Sequence, residues 1–120
     1  HQWTELRIQH AKRYSELLSS IPNIVTPVTH KDAKHVFHLY VIRTQNRSKL
    51  QTHLQNNNIS SGIHYPTPLP FLKAYEYLGY NPDDFPISFS YKNKILSLPI
   101  YPELTNEQIE FIYHTISSNQ

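Results

Sequence analysis

Eight histidines in 120 residues make metal ligation the first chemistry to weigh, because neutral imidazoles bind zinc when two or three converge. The spacing argues against it. His35 and His38 lie in a run that reads as extended, an odd number of positions apart, so a strand sends them to opposite faces. The other histidines are far apart, with no HxH or HxxxH pair, as expected of scattered structural or surface rings. A serine nucleophile fares no better, since no serine sits in a Gly-x-Ser-x-Gly elbow, and a chain with two glycines cannot build a glycine-rich phosphate cradle. Cysteine is absent, which removes disulfides, thiolate ligands and a thiol nucleophile. The carboxylate pair Asp83-Asp84 reads as a helix start. Nine tyrosines could stack nucleobases, but most fall on helical core stripes.

One stretch keeps a chemical reading. In Gly62-Ile63-His64-Tyr65-Pro66-Thr67-Pro68-Leu69-Pro70, three prolines at alternate positions exclude regular structure and stiffen the loop. His64 and Tyr65 are thereby presented as two hydrogen-bonding side chains at the end of a strand. From these residues alone, a binding site and a stiff surface turn are equally open.

The elements that must position this loop can be read from periodicity. His35-Val36-Phe37-His38-Leu39-Tyr40-Val41-Ile42-Arg43 is the longest run of β-branched and aromatic residues without Gly or Pro, and is expected to be the central strand. Both of its faces are largely apolar, so it should be covered on both sides, in a chain short enough to leave one face under-covered. Trp3, Leu6, Ala11, Tyr14, Leu17, Leu18 and Ile21 form one helical stripe, with Thr4 as expected N-cap and Trp3 and Ile8 as a hydrophobic staple. Ile24 to Val28 is a short edge segment, limited by Pro27. A second helix, capped by Thr44 or Asn46, carries Leu50 and Leu54. Residues 59–63 and 95–100 read as two further strands. Short helices follow Pro70 and Pro86, the first ending at Gly79 in a left-handed C′ position. Thr105-Asn106-Glu107-Gln108 is a capping box for a last helix with Ile109, Ile112, Tyr113 and Ile116 inward.

These elements imply one α+β domain over residues 1–120, a small mixed or antiparallel sheet flanked by helices. Eleven basic and nine acidic residues give a net charge of +2 with no basic stripe, so nucleic acid is not an expected partner. No apolar run approaches the roughly 20 residues that span a bilayer, so no membrane partner is expected. The lack of cysteine fits a reducing, cytoplasmic setting. A chain that starts His1-Gln2 and contains no methionine reads as a segment of something longer.

Five blocks, in order, carry a resemblance: residues 35–43 (HVFHLYVIR), Gly62-Ile-His-Tyr-Pro66-Thr-Pro68, Ala74-Tyr75 to Leu78-Gly79, Phe85-Pro86, and residues 95–105 (ILSLPIYPELT). Together they cover nearly the whole chain, which resembles the C-terminal domain of the DegT/DnrJ/EryC1/StrS sugar aminotransferases. The resemblance implies the small domain of a fold type I enzyme that uses pyridoxal phosphate to pass an amino group, usually from glutamate, to a keto nucleotide-sugar. It implies a homodimer whose cofactor lysine and phosphate-binding residues lie in a large N-terminal domain outside this chain, so the chain alone should bind no cofactor and be inactive. It places His64 and Tyr65 at the mouth of the active site, against the sugar or its phosphates. Two positions depart from the family pattern: Pro70, near where many members have histidine, and Ser88-Phe89, where a small residue and glutamate are common. The alternatives are a regulatory or sensory relative without transaminase activity, and a free-standing module binding a protein or single-stranded nucleic acid.

Overall fold

A computed structural model describes residues 1–119. Helix α1 (Gln2–Leu18) turns Ala11, Tyr14 and Leu18 into the core, as the stripe predicts. Its start differs from expectation. The helix already begins at Gln2, so Thr4 lies within its first turn rather than at the cap, and Trp3 is 66% exposed instead of forming a staple.

Only Tyr40–Arg43 of the anticipated central strand is strand (β1). The residues before it turn away because the Phe37 N–H donates to His35 Nδ1 at 2.9 Å and Phe37 takes a positive φ of 48°. The Phe37 ring then lies 4.1 Å from His35 and 6.2 Å from Tyr40, closing a local aromatic cluster instead of extending a ladder. β1 pairs antiparallel with β2 (Ile95–Leu98) in the register Tyr40↔Leu98, Val41↔Ser97, Ile42↔Leu96. Of the two sheet types anticipated, the antiparallel one is realised. Single bridges widen it: both backbone groups of Arg43 bond Val25, and both of Ser97 bond Gly62. Since the N–H and C=O of one residue point to the same edge, β1 is central, between Val25 and β2. The expected strand 59–63 shrinks to that one bridge at Gly62, and the expected strand 95–100 ends before Pro99, which has no N–H to donate.

The sheet has two unequal faces. Tyr40, Ile42, Leu96 and Leu98 point one way and are buried beneath α1, α2 (Arg47–Asn56; Leu50, Leu54) and α4 (Asn106–Ser117; Ile109, Ile112, Ile116). On the other face Val41, Arg43 and Ile95 are half-buried. The capping box at Thr105 forms as read, its hydroxyl accepting from Gln108 N–H at 3.3 Å while Gln108 Oε1 accepts from Thr105 N–H at 2.9 Å. The connection from β2 to α4 is held against α1, where Tyr14 donates to the Pro99 carbonyl at 3.0 Å and His10 Nε2 to that of Pro102 at 3.1 Å.

Between Gly62 and β2 the chain makes three short 3-10 turns, Leu69–Phe71, Lys73–Leu78 and Pro82–Asp84, and the helix α3 (Pro86–Tyr91). None of these contributes a buried residue. They are held by their own aromatic contacts, Phe71 with Phe89 at 5.3 Å and Tyr80 with Phe85 at 5.0 Å, and by two arginines from the sheet side. Arg43 donates to Tyr91 Oη at 2.6 Å and Arg47 to the Lys92 carbonyl at 2.7 Å. Asp83 and Asp84 belong to a turn capped by Asn81, as a helix start would have them. Gly79 takes a φ of 68°, the left-handed C-cap expected of it.

Candidate functional site

His64 and Tyr65 leave the sheet directly after a clamp. Gly62 N–H donates to the Ser97 carbonyl at 3.0 Å and Ser97 N–H to the Gly62 carbonyl at 2.7 Å, so the loop starts from a fixed point on β2. The His64 ring folds back over Gly62, where an added Cβ would lie 2.6 Å from His64 Cε1. Gly62 serves by its small size and not by a positive φ: a side chain there would displace the His64 ring from this position. His64 Nδ1 meets Ser97 Oγ at 2.9 Å. The His64–Tyr65 peptide is cis, and the two rings meet edge to face at 5.6 Å.

The two side chains face different surroundings. His64 borders an open cleft of about 220 Å³ shared with His38, Ser60, Ser61 and Ser97. Tyr65, 72% exposed, borders a separate pocket of about 430 Å³ lined by Pro66, Thr67, Pro68, Leu69 and Leu72. Among the described residues no Asp, Glu, Lys or Arg side chain lines either space. The cleft therefore offers imidazole and hydroxyl hydrogen-bonding groups on an apolar floor, and the pocket offers apolar surface with one phenol, a combination suited to a polyhydroxylated ligand with an apolar portion.

Sequence reading missed two residues here. His38, assigned by alternation to the strand face opposite His35, lies outside β1 and shares the cleft with His64. Ser97 was counted as strand, yet a serine between Leu96 and Leu98 is the signal that could have found it, because a buried hydroxyl needs a partner. Among the described residues no three metal-binding side chains converge, so the histidines form no chelating set there. Nor is any helix among them long and apolar enough to cross a membrane.

Comparison with known proteins gives the chain a family. The DegT/DnrJ/EryC1/StrS aminotransferase family model matches residues 1–117. The chain is 38% identical to the erythromycin biosynthesis sensory transduction protein EryC1 of Saccharopolyspora erythraea over 116 residues, 97% of this chain and 32% of that protein. It is 35% identical to a dTDP-3-amino-3,4,6-trideoxy-alpha-D-glucose transaminase of Streptomyces venezuelae, covering 88% of this chain and 28% of the relative. The fold superposes on the crystal structure of S. venezuelae DesV in complex with a ketimine intermediate with a TM-score of 0.91 at 32% identity, over 97% of this chain and 31% of that one. The chain thus spans about a third of the length of these relatives. It is a part, helices on a small antiparallel sheet, of a fold type I aminotransferase architecture, and it belongs to the DegT/DnrJ/EryC1/StrS aminotransferase family.

Proposed function

We propose that residues 1–120 are the C-terminal small domain of a homodimeric, cytoplasmic sugar aminotransferase that moves an amino group from glutamate to the keto group of a nucleotide-sugar. The carrying observations are the superposition of nearly the whole chain on a third of S. venezuelae DesV and its 35% identity to a nucleotide-sugar transaminase, with the His64–Tyr65 loop clamped to β2 and open to solvent. In such an enzyme pyridoxal phosphate supplies the electron sink for amino transfer. The residues of this chain do not fit that cofactor. A cofactor lysine must be desolvated or otherwise activated, whereas all seven lysines here are exposed or half-buried, Lys92 lying over the Phe89 ring at 5.2 Å. The chain's part is to contact the substrate: His64 and Tyr65 donate or accept hydrogen bonds at the sugar or its phosphates, and the missing N-terminal large domain holds the cofactor.

Two titrations with pyridoxal phosphate test the division. The full-length protein should bind it saturably, one per subunit, and release keto acid from glutamate when given a keto nucleotide-sugar. The 120-residue chain should show no saturable absorbance change. A stoichiometric site on the chain alone contradicts the proposal, as does a full-length protein that does not bind the cofactor.

A further inference from the structure

We propose that Ser97 is the positioning residue of His64, its hydroxyl setting which imidazole nitrogen carries the proton offered to the nucleotide-sugar; this rests on the reading of His64 as a substrate contact. Ser97 is 4% exposed, between the buried Leu96 and Leu98, and its one hydroxyl contact among the described residues is His64 Nδ1 at 2.9 Å. A hydroxyl in that place is costly unless bonded. The backbone of the same residue makes both bonds to Gly62, and the absence of a Cβ at Gly62 leaves room for the ring. Backbone and side chain of Ser97 therefore hold one histidine at both its loop origin and its ring. A histidine with no task at an open surface needs no such hold.

The bond also has a chemical consequence. When Ser97 donates to Nδ1, the neutral imidazole carries its proton on Nε2; when the ring is protonated, Nδ1–H donates back to Oγ and Nε2 keeps its proton. With Ser97 as the donor to the neutral ring, as we propose, Nε2 is a donor in both charge states, and it has no hydrogen-bond partner among the described residues. Sugar hydroxyls and phosphate oxygens are the acceptors such a donor matches.

The test uses full-length protein labelled with ¹⁵N-histidine, with the His64 signals assigned from their loss in His64→Ala. The wild-type ring should show the Nε2–H tautomer, and Ser97→Ala should shift its nitrogen resonances towards the average of two tautomers. Unchanged ring resonances in Ser97→Ala overturn the positioning role. In kinetics, Ser97→Ala should lower kcat/KM for the nucleotide-sugar about three- to tenfold, mainly through KM. It should have no further effect once His64 is alanine. An equal loss with and without His64 shows that the hydroxyl acts elsewhere and overturns the proposal. A wild-type kcat/KM in His64→Ala overturns instead the reading of His64 as a substrate contact, while the ring resonances still decide what Ser97 does to the tautomer.

Discussion

The rings of Tyr14 and Tyr40 stack 5.0 Å apart in the core, Tyr14 bonding the Pro99 carbonyl and Tyr40 the Ser15 hydroxyl at 2.9 Å. Burial disfavours the phenolate, pushing Tyr40 up to about 12 even though the Ser15 bond works the other way. Burial raises Tyr14 further, with Tyr101 and Tyr40 adding to it. Both folded-state values lie above that of the unfolded chain, near 10. The unfolded state therefore loses these protons first, and the stability they contribute is complete below about pH 10 and lost as pH rises through the folded values. Urea midpoints followed from pH 8 to 12 should fall only above pH 10, together with tyrosine ionisation; a midpoint flat across that range contradicts this. At this scale the sequence was partly legible. Alternating prolines and a glycine mark the His64–Tyr65 loop, because backbone restrictions are local. Its partner Ser97 lies 33 residues from His64, and His38 reaches the cleft only because the chain turns at Phe37. Neither proximity is written in local spacing.

Helix α4 and the strand before α2 show the same contrast between elements. The capping box was readable from four residues because donors and acceptors lie within one turn. Thr105→Ala should cost about 1 kcal/mol, and Gly79→Ala about as much through the left-handed backbone alone, since an added Cβ at Gly79 meets nothing within 4 Å. Urea unfolding decides both: losses below a few tenths of a kcal/mol would mean that the cap and the turn are dispensable. The run 35–43 was over-read because β propensity describes residues that suit a pleated surface, not whether a neighbouring strand exists to pair with. For His35 to Leu39 none does among the described residues, and the imidazole of His35 takes the Phe37 N–H that a ladder would have used. Thr4 failed as a cap for a related reason, its position already being inside a helix that starts at Gln2.

On the scale of the whole molecule, the hydrophobic core sits under the sheet face of Tyr40, Ile42, Leu96 and Leu98, while the segment from Tyr65 to Phe89 exposes Leu69, Tyr77, Leu78, Tyr80, Phe85 and Ile87. Exposed aromatic surface of this kind is suited to pack against a partner surface. The 120-residue chain should accordingly gain apparent mass with concentration in sedimentation or light scattering, and a monomer at every concentration contradicts that expectation. In the full-length protein, division of labour is the central claim: this chain meets the sugar nucleotide and the rest of the protein holds the cofactor. Its most direct test measures both half-reactions in His64→Ala and Tyr65→Phe. On the proposed reading each replacement removes a hydrogen bond to a charged or polar substrate group, worth roughly 1.5–3 kcal/mol, His64→Ala losing its bond to Ser97 as well, so kcat/KM for the nucleotide-sugar should fall about ten- to a hundredfold while the half-reaction with the amino donor changes less. Wild-type kcat/KM for the sugar substrate in both variants would reduce the loop to a structural turn and contradict the account.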